Sequence, residues 1–285
     1  MVTKNRYTLL EVEKRLATGN LPFSGITALG STHLKITKPA FYIGVAMHAG
    51  SRVRPDIREA LAVSSADQVR EEDPHMDKFI AGLPIQLKSL DSRFEYDVNR
   101  EYERGIYDEH KQSWGLNVWR RELTTKERER SLAKHQEFHE LVDILLSYLL
   151  EQFKHVVVFD THSYCYQREE RRPWYDDPKP EINIGTKAVN HALFDPLIIK
   201  FKNELTKIEI DSRRIRVREN DIFFGGHLSR RLSREHHDNV LVLAQEFKKI
   251  FMDEWSGEVY VPKLTTLING YQAAIEKLVA DAFFA

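Results

Sequence analysis

Three stretches of this chain stay apolar for the length of a strand, and each then ends on polar side chains. Residues 40–47 (AFYIGVAM) run into His48-Ala49-Gly50, residues 155–159 (HVVVF) into Asp160-Thr161-His162-Ser163-Tyr164, and residues 238–244 (DNVLVLA) into Gln245-Glu246. Short apolar runs rich in β-formers predict buried strands, so His48 and His162 are each expected just past a strand's carboxyl end. The period changes over residues 124–153. There Leu132, Phe138, Leu141, Leu145, Leu149 and Phe153 recur mostly three and four apart behind a Thr124/Glu127 capping box, which predicts a long amphipathic helix. Residues 194–208 and 264–284 read as further helices and 214–217 as a short strand. The charge- and proline-dense stretch 168–179 is expected as a surface loop.

Strands alternating with helices of these lengths argue for a three-layer α/β/α sandwich, in which ligands collect at the carboxyl ends of the strands. All three polar strand ends then face one edge. A chain of 285 residues with 42% hydrophobic content can bury one large core, so a single domain is expected over 1–285, with about the first 35 residues packing on it as an extension. The formal net charge of -1 provides no global field to attract nucleic acid or an anionic membrane. Cys165 is the only cysteine, which excludes an internal disulfide and a four-cysteine metal site; it reads as a small half-buried hydrophobe in a protein of a reducing compartment. The polar, basic start resembles no secretory signal and no stretch approaches a membrane span, so a cytoplasmic protein is expected.

The chemistry-bearing residues follow from the strand ends. His48 and His162 would project into one crevice, and neutral imidazoles are common ligands of a catalytic metal. A lone strand-end histidine is just as readily a hydrogen-bonded core residue. A third, acidic ligand is available in Arg70-Glu71-Glu72-Asp73-Pro74-His75-Met76-Asp77, although such a run is ordinarily a solvated surface. Arg100, next to Asn99, has the planar fork that clamps a carboxylate, or it pairs with Asp97, Glu101 or Glu103. Gly225-Gly226-His227 is either a turn or a point of close backbone approach to a ligand. Asp160 lies two residues before His162 on a strand, on the same face, where it can orient a neighbouring group.

Taken in order, His48-Ala49-Gly50, Glu72-Asp73-x-x-x-Asp77, Asp97-Val98-Asn99-Arg100, Asp160-Thr161-His162-Ser163 and the late Gln245-Glu246 resemble the N-formylglutamate amidohydrolase family. The resemblance spans about residues 40–258. It implies a phosphorylase/hydrolase-like α/β fold with a mixed sheet, related to zinc carboxypeptidases and aspartoacylases, and one zinc ion per chain. Carried over by position, His48, Asp73 and His162 would hold the zinc, with Glu72 the alternative acidic ligand. Asn99 and Arg100, assisted by Arg93, would hold the substrate's α-carboxylate, and Glu246 would be the general base. Two departures, Met47 where a proline often stands and Pro55 one residue late, touch the shape of the first loop.

The activity implied is hydrolysis of a small acidic substrate, N-formyl-L-glutamate or a similar N-acyl amino acid, by a metal-activated water, with His227 or an arginine stabilising the oxyanion. A carboxypeptidase- or aspartoacylase-like hydrolase of another acylated substrate is the nearest alternative, separable by a substrate panel. A non-catalytic relative that binds a small acid would be marked by loss of Glu246 or of a ligand, and none is lost. Neither nucleic acid nor membrane is an expected partner, since acidic residues dilute the basic stretches 168–172 and 213–218 around Trp174.

Overall fold

The computed structural model describes residues 5–168 and 170–280. In chain order its strands are β1 (Arg6–Tyr7), β2 (Phe23–Thr27), β3 (Thr32–Ile36), β4 (Tyr42–Ala46), β5 (Ile85–Ser89), β6 (Val156–Tyr164), β7 (Ile182–Gly185), β8 (Glu209–Ile210), β9 (Arg213–Arg214), β10 (Val217–Glu219) and β11 (Val240–Lys248). Its α-helices are α1 (Leu9–Ala17), α2 (Pro55–Ala60), α3 (Ser65–Glu71), α4 (Met76–Phe79), α5 (Thr125–Leu150), α6 (His191–Leu205), α7 (His227–Glu235) and α8 (Val261–Val279).

Nine of the strands form one mixed sheet in the order β1-β2-β3-β5-β4-β6-β11-β7-β10, and β8 and β9 form a separate ribbon. Its centre is parallel: β6 lies between β4 and β11, with both neighbours running in its direction. Burial on both faces explains why these strands read as unbroken apolar runs. Successive side chains alternate between faces. Val157, Phe159, Leu241 and Leu243 pack with α4, α6 and α8, while Val156, Val158, Val240 and Val242 pack with α1, α5 and α7. The expected three-layer α/β/α sandwich is the architecture found.

Helix α5 starts where its capping box places it, with the Thr124 N–H donating to Glu127 Oε2 at 2.8 Å and the Glu127 N–H to Thr124 Oγ1 at 3.3 Å. It ends at Leu150, three residues before the expected limit. Helix α6 begins at His191 rather than 194, and α8 at Val261, where Pro262 suits a first turn that needs no N–H donor. The expected end of α8 at 284 lies outside the described residues. Strands β6 and β11 run further than their apolar runs suggest, because they pair continuously from Val240 beside Val156 to Lys248 beside Tyr164. His162 and Glu246 therefore sit within strands, not past them.

Residues 6–36, expected as an extension, supply β1, β2 and β3 of this same sheet. Of the stretch expected as a strand at 214–217, Arg214 belongs to the ribbon and Val217 to edge strand β10. Residues 168–179 contain no helix or strand among the described residues, yet Trp174 is buried in the core beneath α8 and β11. Among the described residues no helix is long and apolar enough to cross a membrane.

The fully buried Leu145 of α5 packs against the central strands. Leu145→Ala is expected to lower stability by about 2–5 kcal/mol through lost burial and a residual cavity, read as a lower midpoint in urea unfolding at unchanged slope.

Candidate active site

The parallel centre of the sheet places its polar strand ends together. Val156, Val158, Asp160 and His162 share one face of β6, and the register sets Glu246 of β11 beside His162. His48 leaves the end of β4 on the other side of β6. Asp73 follows α3, and its backbone N–H donates to the His48 carbonyl at 3.0 Å, which ties that loop to the strand end. These elements line a crevice of about 430 Å³ together with Arg93, Asn99, Arg100, the 222–226 loop and Arg168.

At its floor His48, Asp73 and His162, all buried, bring one ligand atom each within 4.8 Å of one another. Asp73 Oδ2 lies 3.4 Å from His48 Nδ1 and 3.1 Å from His162 Nδ1, and Ser163 Oγ donates to its other oxygen at 3.1 Å. Each imidazole has a carboxylate behind it: His48 Nε2 hydrogen-bonds Asp97 Oδ1 at 2.6 Å, and His162 Nε2 lies 2.9 Å from Asp160 Oδ1 as an ion pair. With a cation between them and Asp73, a proton on each Nε2 would leave Nδ1 free as the ligand atom. That is how outer carboxylates present histidine to a metal. His48 Nδ1 is buried with no hydrogen-bond partner. Two imidazole nitrogens and a carboxylate oxygen are a fitting donor set for zinc, so the residues present suit the ion.

The electrostatics favour a cation at this point. Burial pushes the Asp73 carboxyl up, but His162, which hydrogen-bonds it, and the adjacent His48 outweigh that and hold Asp73 well below the ordinary carboxylate range. Burial disfavours the His162 imidazolium, yet Asp160 and Asp73 on either side raise its pKa well above the ordinary value. Asp97 is likewise held low against its burial by Arg93 and His48. Burial raises Glu246, as expected of a carboxyl poised to exchange protons.

Every residue expected as a metal ligand thus converges on one point, and Asn99, Arg100, Arg93 and Glu246 line the same crevice. Arg93 donates to Asp97 Oδ2 at 2.8 Å and to the Tyr107 hydroxyl at 2.9 Å. Arg100 is half-exposed, with Nε 3.8 Å from Asp97 Oδ2. Glu72, the alternative ligand, turns away and accepts from Gln68 at 2.8 Å. His227 requires a correction. It opens α7 and its ring packs edge-on against His139 of α5, 5.4 Å between centroids, outside the crevice wall. The preceding Gly225-Gly226 does form the wall. A Cβ on Gly226 would meet the Asn99 side chain at 2.2 Å, so only glycine allows this approach.

Several residues that shape the site were given no role of their own from the sequence. Asp97 serves both His48 and Arg93, and its place inside the Asp-x-Asn-Arg motif was the available clue. Arg168, locked to Glu71 by two bonds of 2.7 Å, and Trp114, beneath the Arg93 guanidinium, arrive from loops with no periodic pattern. Cys165 is buried, with Sγ 3.0 Å from the Arg70 carbonyl.

A family model described as N-formylglutamate amidohydrolase matches residues 42–250. No curated protein matches the chain. Among solved structures, an N-formylglutamate amidohydrolase from Ralstonia eutropha is similar with a TM-score of 0.70 at 16% identity, covering 87% of this chain and 98% of that one. A gene product of Agrobacterium tumefaciens is similar with a TM-score of 0.58 at 15% identity, over 87% of this chain and 96% of that one. At these identities the two structures establish a shared fold.

Asp97→Asn removes the carboxylate behind His48 while keeping its shape. It is expected to weaken zinc binding about 10–100-fold, measured by competition with a chromogenic chelator. Wild-type affinity in that variant would remove Asp97 from the ligand's support.

Proposed function

Because this chain belongs to the N-formylglutamate amidohydrolase family, we propose that it is a zinc-dependent amidohydrolase that converts N-formyl-L-glutamate to formate and L-glutamate. The buried His48, Asp73 and His162 cluster with Glu246 beside it carries this reading. The crevice supports an acidic substrate, since its wall holds Arg93, Arg100, Arg168, Lys179, Arg230 and Lys249 against Glu71, Asp73 and Glu246. Its volume of about 430 Å³ suits a small molecule.

Zinc held by His48, Asp73 and His162 would supply a Lewis acid and lower the pKa of a bound water from about 15.7 toward about 7. The protein's own groups do the rest. Asn99 and Arg100 hold the α-carboxylate of the substrate, which sets the formyl carbon against the floor of the crevice. Glu246 takes a proton from the attacking water and delivers it to the amide nitrogen as the C–N bond breaks. Arg93, fixed by Asp97 and Tyr107, donates to the carbonyl oxygen as negative charge develops there. Asp97 and Asp160 keep the two imidazoles in one tautomer throughout. A single buried thiol suits a reducing compartment, and we place the reaction in the cytoplasm.

Purified without chelators, the wild type is expected to carry about one zinc per chain and to release glutamate from N-formyl-L-glutamate. His162→Ala should lose the metal, whereas Glu246→Gln should keep it and lose about 10²–10⁴-fold in kcat. Zinc content by elemental analysis and a coupled glutamate assay decide both. Metal without turnover overturns the substrate, and absence of metal after zinc is supplied overturns the metal.

A further inference from the structure

The backbone that carries Asn99 and Arg100 has no regular secondary structure, so its carbonyls need partners from outside. Three consecutive ones find them on two helices. His139 Nε2 lies 2.9 Å from the Val98 carbonyl and His135 Nε2 lies 3.0 Å from the Arg100 carbonyl, both rings projecting from α5 at positions four apart. The Asn99 carbonyl between them accepts the His227 N–H of α7 at 3.4 Å, and the Asn99 side-chain oxygen accepts the Leu228 N–H at 3.1 Å. A carbonyl only accepts, so Nε2 of both histidines must carry the proton. Their Nδ1 atoms are buried with no hydrogen-bond partner. The two rings pack at 4.7 Å between centroids, tilted by 43°, and neither belongs to the crevice wall.

We infer that His135 and His139 are positioning residues: two imidazoles of α5 that hold the 98–100 backbone by its carbonyls and so aim Asn99 and Arg100 at the carboxylate of the substrate. This rests on the reading of Asn99 and Arg100 as the carboxylate-holding pair. An apolar residue at either position fills the space equally well, whereas only a donor at the Nε2 position fixes the segment. Two histidines suit this task because burial lowers both, His139 to about 3, so they stay neutral donors across the range in which the enzyme would work. The groups facing His139 act in the same sense, since His135, Arg231 and His227 all oppose its protonation. Asp97 and Glu103 oppose the lowering at His135 without reversing it.

The test uses the zinc-loaded full chain and the variants His139→Leu, His139→Gln, His135→Leu and His135→Gln, since a glutamine amide can donate from the Nε2 position. Two readouts are taken: kcat and KM for N-formyl-L-glutamate, and hydrogen exchange of the peptide spanning residues 97–105. Each Leu variant is expected to raise KM at least tenfold with kcat within about threefold of wild type, and to speed exchange in that peptide but not in a β11 peptide. The corresponding Gln variant restores both. The inference is overturned if a folded Leu variant keeps wild-type KM and exchange, if Gln fails to restore what Leu loses, or if exchange rises equally in β11. Should a Leu variant not fold, the Gln variant and the other histidine position decide by the same two readouts. Wild type that releases no glutamate would overturn the substrate reading, and exchange in residues 97–105 would still show whether the clamp exists.

Discussion

The crevice depends on one ladder of backbone hydrogen bonds, the nine-residue parallel pairing of β6 with β11. It sets Glu246 level with His162 and keeps Asp160 and His162 on the face that also receives α5 and α7. A shift of one residue in that register would turn the His162 imidazole, together with Val156, Val158 and Asp160, to the opposite face of the sheet. What prevents the shift is the apolar part of the same strands. Val156, Val158, Val240 and Val242 are buried against one helical layer, and Val157, Phe159, Leu241 and Leu243 against the other. The hydrophobic core thus fixes where the polar residues stand.

The polar end of the strands has an unusual charge arrangement. Asp73, Asp97 and Asp160 are all buried within reach of two imidazoles and one guanidinium. Burying so many carboxylates is costly unless positive charge is close by. Arg93 and a protonated His162 compensate part of it in the chain alone, and a divalent cation would do so more completely. The same environment raises Glu246, since a buried carboxyl near other carboxylates holds its proton more tightly. Attraction for a cation and the raised pKa of Glu246 are therefore two consequences of one low-dielectric cluster.

The parts of this structure that were legible in the sequence are those with a period. The buried central strands, the capped helix α5 and the placing of His48, His162 and Glu246 at one edge all follow from apolar runs and where they stop. Strands β2, β3 and β5 escaped notice because they alternate buried and exposed positions over only five residues each, a pattern too short to stand out. The choice between Glu72 and Asp73 was open on the residues alone, because the two are adjacent in a turn that has no period; in the fold it is Asp73 that stands beside both imidazoles. His227 was assigned to the crevice because it adjoins Gly225-Gly226. The glycines do approach it, but helix α7 begins at that residue and carries the ring to the α5 side. Trp174 lies in the stretch 168–179 expected as a surface loop from its charged residues, which say nothing about where a single indole goes.

Asp97 divides its two oxygens between different partners, Oδ1 toward His48 and Oδ2 toward Arg93. A carboxylate has only one negative charge to share, so whatever draws the guanidinium away strengthens its hold on the imidazole, and a cation that pulls on the imidazole alters its grip on the guanidinium. Linkage makes this reciprocal. A cation at the floor of the crevice and an anion at its wall would thus be linked through one side chain.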